Sequence, residues 1–356
     1  MISKEKTNYL YKYDNKIYWN VGVIYNHLFN FKNLINMLKY YNIDIPISFI
    51  HGSWLSKFNG GRFSALQLST EDEIKNDVKF FNDNNIGIKL TFSRDDYTEK
   101  DFDDPEMRFY LDTLAENPNV RNGIICQMDK FAEFLKKEYP MLEITASYCK
   151  HEFETRPGYT DTSDYYNKLF DLYDIVVINS TKAFNDEFLS EIKYPGRVEF
   201  IVNHLCAPNC QIAKKHHTLA ANKGLCEYYI NKDINKKYYV QKFQDLIKEN
   251  EEIDEKCILQ HYHCKILDQQ FINKEEVNYL SNLGFNIFKI EGRDRGWSWF
   301  LYSFINYIIN QDSNFINIVY QYINKFSLDE NGKYIMNNNI RLQNIRENTF
   351  EPAFLL

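Results

Sequence analysis

Short apolar runs of the kind that form β-strands recur along this chain, and helix-like segments separate them. In the stretch "EDEIKNDVKFFNDNN", Ile74, Val78 and Phe81 share one helical face. In "NKEEVNYLSNLG", Gly284 stands where glycine commonly follows a last helical turn. Near-continuous apolar strands that alternate with helices are typical of a parallel sheet covered by helices. The seven strand-like runs span residues 46–52, 87–93, 122–127, 142–147, 174–180, 197–203 and 285–292.

This pattern predicts an α/β fold, a (β/α)8 TIM-type barrel. A doubly wound sheet is disfavoured because no glycine-rich phosphate loop follows the first strand. We place the barrel at residues 46–311 and expect its eighth strand within 218–270. Residues 1–45 are predicted to form an N-terminal lead-in, with "KIYWNVGVIY" as a strand or hairpin before a helix. Residues 312–356 are predicted to form a C-terminal helical and irregular extension.

The composition limits the classes of partner. A net charge of −7 argues against broad electrostatic contact with nucleic acid, although a local basic groove stays open as an alternative. No run reaches the roughly 18 apolar residues of a membrane span, and the N-terminus lacks the apolar core of a signal peptide. We therefore expect a cytoplasmic protein without a membrane span. Its seven cysteines are expected to be reduced thiols, used for packing, metal binding or chemistry rather than for disulfides.

Polar residues collect at the ends of the predicted strands. In a TIM-type barrel the carboxyl ends of the strands build the active site, so these residues are predicted to share one functional mouth. The alternative is that they hydrogen-bond to one another, as loops at the rim of any barrel must. The residues at these ends are His51, Lys89, Thr91, Gln127, Ser147, Asn179, Asn203, His204, Lys289, Glu291 and Arg293.

The stretch "FIVNHLCAPNCQIAKKHH" combines two cysteines with three histidines just after a predicted strand. These cysteines are compatible with a zinc site, with an iron–sulfur cluster or with buried free thiols. Iron–sulfur clusters accept the widest spacing between ligands, because their thiolates come from different loops. We therefore predict an iron–sulfur cluster, with zinc as the alternative. Its predicted ligands are Cys206, Cys210, Cys257 and Cys264, with Cys226 as the alternative fourth ligand.

The double histidine that follows offers one further candidate. Adjacent helical residues face about 100° apart, so at most one of the two can point at the site. We choose His216 as a ligand, a proton donor or a substrate contact. A solvated surface histidine is the alternative.

A second motif, "FKIEGRDR", places Lys289 and Glu291 on the same side of a strand, with Arg293 just beyond it. Lys289 and Glu291 form a salt bridge at the rim in the alternative interpretation. The planar guanidinium group of arginine binds carboxylates and phosphates through two hydrogen bonds. Arg293, and Arg62 in "FNGGRFSALQLS", are therefore both candidates to bind an anion. The predicted catalytic residues are His51, His216 and Glu291. The predicted substrate-binding residues are Arg62, Lys89, Asn203, Lys289 and Arg293.

The motifs "FKIEGR" and "VNHLCAPNCQIAKKHH" resemble the peptidase U32 family, over about residues 45–310. The resemblance implies a TIM-type barrel and, in several branches, an oxygen-independent hydroxylase or hydroxylase subunit with a [4Fe–4S] cluster. Substrates in those branches are RNA bases or quinone precursors, and other members are named collagenase-like proteases. The first cysteine pair is narrower here than in the family, and the next thiols are more remote. The resemblance therefore extends to Cys206 and Cys210 more directly than to Cys257 or Cys264.

Three functions follow as hypotheses. The first is an iron–sulfur enzyme that hydroxylates, or otherwise modifies by redox chemistry, a small anionic or aromatic substrate, with RNA or a modified peptide as alternatives. The second is a metal-dependent or cysteine hydrolase or peptidase, in which zinc replaces the cluster and Glu291 activates water. A cysteine version would pair Cys206 with His204 or His216. The third is a non-catalytic barrel that associates with a second barrel subunit.

Overall fold

The computed structural model describes residues 17–24, 27–40, 47–59, 68–150, 161–204, 212–263, 271–291, 297–308, 327–328 and 334–335. The chain divides into two compact units, Met1–Phe304 and Ile305–Leu356. In the second unit, a short antiparallel pair joins Ser327–Leu328 to Tyr334–Ile335. The functional candidates lie in the first unit.

Eight parallel strands close a barrel in chain order, and the first strand pairs with both the second and the eighth. This confirms the predicted (β/α)8 fold. All seven strand-like runs identified from the sequence are strands of the barrel. The strands are β1 (Tyr18–Gly22), β2 (Ile47–Gly52), β3 (Gly87–Phe92), β4 (Gly123–Cys126), β5 (Glu143–Ala146), β6 (Ile175–Ile178), β7 (Val198–Ile201) and β8 (Ile287–Ile290).

Helices separate the strands, and several begin at clear local signals. Thr70 and Asn273 each form a capping box with a glutamate three residues later, and Asp104 caps a helix whose first residue is Pro105. The helices are α1 (Leu28–Tyr40), α2 (Glu71–Asp83), α3 (Glu99–Phe102), α4 (Pro105–Ala115), α5 (Asp129–Glu138), α6 (Ser163–Leu169), α7 (Asp186–Ser190), α8 (Ala213–Asn231), α9 (Lys236–His263), α10 (Lys274–Asn282) and α11 (Trp297–Ile308). Two 3-10 turns cover Ser180–Phe184 and Pro195–Arg197.

The eighth strand is not where the sequence predicted it. It is Tyr18–Gly22, inside the segment expected to be a lead-in, so the barrel begins before residue 46. Within the predicted interval 218–270, the described residues instead form the helical hairpin of α8 and α9. Leu219 and Cys226 of α8 pack there against Leu246 and Ile253 of α9. These apolar residues follow helical spacing rather than strict alternation, and this is why a helix forms.

Charged side chains lie inside the barrel as well as apolar ones. Lys89 of β3 reaches Glu143 of β5 at 2.5 Å, and both side chains are fully buried. Strands β3 and β5 are not neighbours, so this contact crosses the interior past β4, where Gly123 has no side chain. A Cβ at Gly123 would lie 2.4 Å from the Glu143 carbonyl oxygen. Buried charges are tolerated when they are paired, and this pairing therefore fits the fold.

Candidate active site

The best-defined polar group at the carboxyl ends of the strands joins the residues after β7 and β8. The Nδ1 atom of His204 lies 3.1 Å from Oε2 of Glu291. Asn203 holds Glu291 in place through two hydrogen bonds. Its Oδ1 accepts from the Glu291 backbone N–H at 2.8 Å, and its Nδ2 donates to the Glu291 carbonyl at 2.9 Å. The amide of Asn203 therefore continues the pairing of the two strands beyond their ends and positions the carboxylate against the imidazole.

An aromatic ring from the loop after β5 packs against the imidazole. Tyr148, just after β5, has its ring centroid 4.4 Å from that of His204. Tyr148 also packs with Val177 and Ile201, which are buried residues of β6 and β7. A carboxylate at one ring nitrogen fixes the orientation of a histidine and leaves the other nitrogen to exchange a proton with a reactant. The His204–Glu291 pair is therefore suited to proton transfer.

A cavity of about 320 Å³ opens at the ends of β3 to β5. Buried Lys150 contacts Asp129 at 2.9 Å and donates to the Gln127 carbonyl at 3.1 Å. The side chain of Gln127 donates to the Ser93 carbonyl at 2.6 Å, which ties the ends of β3 and β4 together. The cavity is lined by Asp95, Gln127, Met128, Asp129, Lys130, Lys150 and Lys214.

Helix α8 contacts three of the loops that surround the mouth. Its Tyr228 donates a hydrogen bond to the carboxylate of Glu106 on α4 and packs against Leu55, which follows β2. Its His217 contacts Cys149, which follows β5, with 3.7 Å between Nδ1 and Sγ. His217 and Tyr228 are eleven residues apart, so they lie on one helical face and about 16 Å apart along the axis. The helix therefore lies across the mouth.

The buried face of this helix includes a glycine. Gly224 lies on the same face as His217 and Tyr228 and is buried. A Cβ built on Gly224 would meet no atom of the described residues within 4 Å, apart from the helix's own nearby backbone. Glu106 of α4 lies next to the C-terminal part of α8, where Tyr228 contacts it. Burial raises the pKa of Glu106, although the hydrogen bond from Tyr228 lowers it.

Among the predicted residues, Asn203 and Glu291 meet at the mouth. His51 is buried in β2, where a Cβ at Gly22 would lie 2.9 Å from its Nε2. Lys89 and Lys289 lie inside the barrel, where Lys289 is 3.6 Å from Glu199. In the alternative interpretation, Lys289 and Glu291 form a salt bridge with each other. In the structure, Lys289 instead lies near Glu199, and Glu291 contacts His204.

His216 is half-buried in α8, and its neighbour His217 contacts Cys149. The two rings are 6.4 Å apart between centroids.

The predicted cluster ligands cannot be placed from the described side chains. Arg62, Arg293, Cys206, Cys210 and Cys264 lie outside the described residues, and Cys257 lies in α9 with its side chain outside the described part. Within the described part of the chain, no group of three or more His, Cys, Asp or Glu side chains could hold a metal ion. The alternative ligand Cys226 is fully buried between α8 and α9, and burial raises the pKa of its thiol.

Sequence reasoning missed several residues that the structure brings together. Glu143 and Glu199 interrupt the apolar strands "LEITAS" and "RVEFIVN", and a charge inside such a strand is a signal for a buried ion pair. Tyr148, Cys149 and His217 carry no comparable signal, since only the closed barrel and the crossing helix bring them to the mouth. None of the described helices is long and apolar enough to cross a membrane.

Comparisons with known proteins add one structural likeness. No family model matches the chain, and no curated protein matches it. The chain is similar to the solved structure of the U32 peptidase Mk0906, at 15% sequence identity and a TM-score of 0.41. The likeness covers 62% of this chain and 79% of that one.

Proposed function

We propose that this chain is an enzyme whose active site is the carboxyl-end mouth of the barrel. Cys206, Cys210, Cys257 and Cys264 would hold a [4Fe–4S] cluster there, near the His204–Glu291 pair. The reaction is an oxygen-independent hydroxylation, or a related redox step, on an anionic or aromatic substrate.

The observation that carries this proposal is a backbone contact at the end of β7. Asn203 forms an antiparallel bridge with Phe271, and the Ile272 N–H donates to the Val202 carbonyl at 3.0 Å. The segment with Cys206 and Cys210 starts just after His204, and the segment with Cys264 ends just before Phe271. The described residues that flank the two cysteine-bearing segments therefore lie side by side, next to the His204–Glu291 pair.

A second contact favours the inclusion of Cys257. Ile253 of α9 belongs to the same apolar cluster as Ile212, which immediately precedes α8. Cys257 follows Ile253 by one helical turn, and Ile212 follows Cys210 by two residues. The backbone of α9 near Cys257 is thus close to the start of α8, as a ligand set drawn from both segments requires.

The chain's own residues have distinct roles in this proposal. A cluster held by these four thiolates would have every iron ligated and would supply electrons. His204, oriented by Glu291, holds or moves a proton at its Nε2, and His51 and His216 remain further candidates for proton transfer. Arg62 and Arg293 bind the anionic part of the substrate.

Purification without oxygen, followed by iron and sulfide assays and an absorption spectrum, tests the proposal. We expect about four iron and four sulfide per chain, as a [4Fe–4S] cluster requires. The Cys206→Ala variant should lose most of both, while Cys226→Ala serves as the matched control and should retain them. A folded wild-type protein without iron, or a Cys206→Ala variant with full iron, contradicts the proposal. Stoichiometric zinc in place of iron supports a hydrolase instead.

A further inference from the structure

Cys149 differs from the other cysteines with described side chains. Cys126 and Cys226 are fully buried, and burial raises the pKa of both thiols, which disfavours the reactive thiolate. Cys149 is only half-buried, and its Sγ lies 3.7 Å from Nδ1 of His217. The backbone N–H of Cys149 donates to Ser147 Oγ at 3.3 Å, which fixes the turn after β5.

The two partners come from separate elements that are 68 residues apart in sequence. His217 reaches Cys149 because α8 crosses the mouth. A thiol beside an imidazole is the arrangement that generates a nucleophile, since the imidazole takes the thiol proton. Neither member of this pair is a predicted cluster ligand, and the pair requires no metal.

Neighbours in sequence of both partners line a cavity. Lys150 follows Cys149 in the chain, and Lys214 precedes His217 by about one turn on the same helical face. Both line the cavity of about 320 Å³ together with Lys130, against two aspartates, Asp95 and Asp129. Its volume is at the lower end of the range for small-molecule sites, and the excess of lysines favours an anion.

We propose that Cys149 is a nucleophile activated by His217, which cleaves small esters or thioesters whose acyl group carries a carboxylate or phosphate bound by Lys130, Lys150 and Lys214. This activity goes beyond the redox function proposed above and is independent of it.

The chemistry is balanced without an external oxidant or reductant. His217 Nδ1 takes the thiol proton as the Cys149 sulfur attacks the carbonyl carbon, so that a C–S bond forms. The bond from that carbon to the alcohol or thiol leaving group breaks, and the leaving group takes the proton from the imidazolium. Water then attacks the S-acyl carbon and gives up a proton to His217. The C–S bond breaks, the acid departs, and the proton returns to sulfur.

Alkylation of the full chain with iodoacetamide, followed by peptide mass spectrometry, tests the activation of Cys149. We expect Cys149 to react at least tenfold faster than Cys126 or Cys226, because its thiol is accessible and partnered. His217→Asn should slow the reaction at Cys149 by about 100-fold, the scale of general-base assistance. Lys215→Gln, at an exposed position of α8, is the control and should react like the wild type, and His217→Gln repeats the test in case the first variant folds poorly. Equal rates in wild-type and folded His217 variants overturn the proposal.

Two further experiments test the preference for an anionic substrate and the formation of an acyl group on Cys149. Lys214→Met should slow alkylation by iodoacetate, which is an anion, but leave alkylation by neutral iodoacetamide unchanged. The p-nitrophenyl monoester of succinate should release a burst of nitrophenol and leave a succinyl group on Cys149. The absence of an adduct at Cys149, or a nitrophenol burst that persists in the Cys149→Ala variant, overturns the proposal that Cys149 is the nucleophile.

The iron content of the variant separates this proposal from the redox function. Cys149→Ala should retain the iron of the wild type. Loss of iron would make Cys149 a ligand and overturn its role as nucleophile, whereas an iron-free protein with a reactive Cys149 would contradict the redox proposal alone.

Discussion

At the scale of single residues, the interior of the barrel is held by paired charges rather than by apolar side chains alone. Glu143 contacts Lys89 at 2.5 Å and Arg121 at 3.4 Å. Glu199 accepts a hydrogen bond from Asn20 and lies 3.6 Å from Lys289. Removal of one member of a buried pair leaves a charge that water cannot reach, and this is more destabilising than removal of both.

Glu143→Gln therefore should lower the free energy of unfolding by about 3–5 kcal/mol, since Lys89 loses its carboxylate. The double variant Lys89→Met/Glu143→Gln should recover most of that loss. Urea unfolding followed by circular dichroism measures both, with Glu133→Gln on the exposed face of α5 as the control. A double variant that is less stable than the single one would contradict this role of the pair.

Asn203 makes a second residue-scale prediction. Asn203→Ala removes both hydrogen bonds to the Glu291 backbone, and we expect a loss of about 2 kcal/mol in unfolding free energy. Asn117→Ala, which removes one exposed hydrogen bond to Asn119, is the control and should change stability little. A loss at Asn203 no larger than at Asn117 would mean that the amide does not position Glu291.

At the scale of elements, α8 is the helix that crosses the carboxyl end of the barrel, from the loop after β5 to the loop after β2. The sequence predicted its first turns, around the double histidine, but neither its length nor its course across the mouth, because its apolar residues face both α9 and the loops of the mouth and give no single amphipathic stripe. The chain before β8 already has α10 as its covering helix, so the hairpin of α8 and α9 is an addition to the barrel. Its docking depends on contacts such as Tyr228 with Glu106.

Tyr228→Phe should weaken this docking in a pH-dependent way. Burial raises the folded-state pKa of Glu106, so its contribution to stability is present at low pH and is lost as pH rises through that pKa. The Tyr228 hydroxyl has the opposite effect on this pKa, because its hydrogen bond stabilises the ionised carboxylate of Glu106. Its removal should therefore destabilise the protein by about 1 kcal/mol above the pKa of Glu106 and much less below it.

Urea unfolding at acidic and neutral pH measures the difference. Tyr229→Phe is the matched control, since Tyr229 stacks on Tyr239. Equal destabilisation by Tyr228→Phe at both pH values would show that the ionised Glu106 is not its partner.

At the scale of the whole molecule, the barrel closes through the pairing of β1 with β8, where Asn20 is in register with Lys289. Seven strands were predictable because parallel strands buried on both faces read as apolar runs. The remaining strand, β1, was recognised as a strand or hairpin but assigned to a lead-in. A strand-like sequence does not reveal which other strands it pairs with, here β2 and β8. The mouth residues from β7 and β8 were predictable from their places at strand ends, whereas the contacts made by α8 depend on tertiary packing.

Removal of residues 1–24 should abolish cooperative unfolding, since it leaves β2 and β8 as open edges. Thermal unfolding by circular dichroism and size-exclusion chromatography measure the effect. A shortened chain that is monomeric and unfolds cooperatively would mean that the barrel does not depend on β1.

Anomalous X-ray diffraction at the iron absorption edge, from crystals grown without oxygen, tests most directly whether the mouth is a redox centre. We predict about four iron atoms in one compact site beside the carboxyl end of β7, next to His204 and reached by cysteine sulfurs from before α8 and from the end of α9. Iron at any other place on the barrel, or crystals of folded protein with no iron, would contradict it.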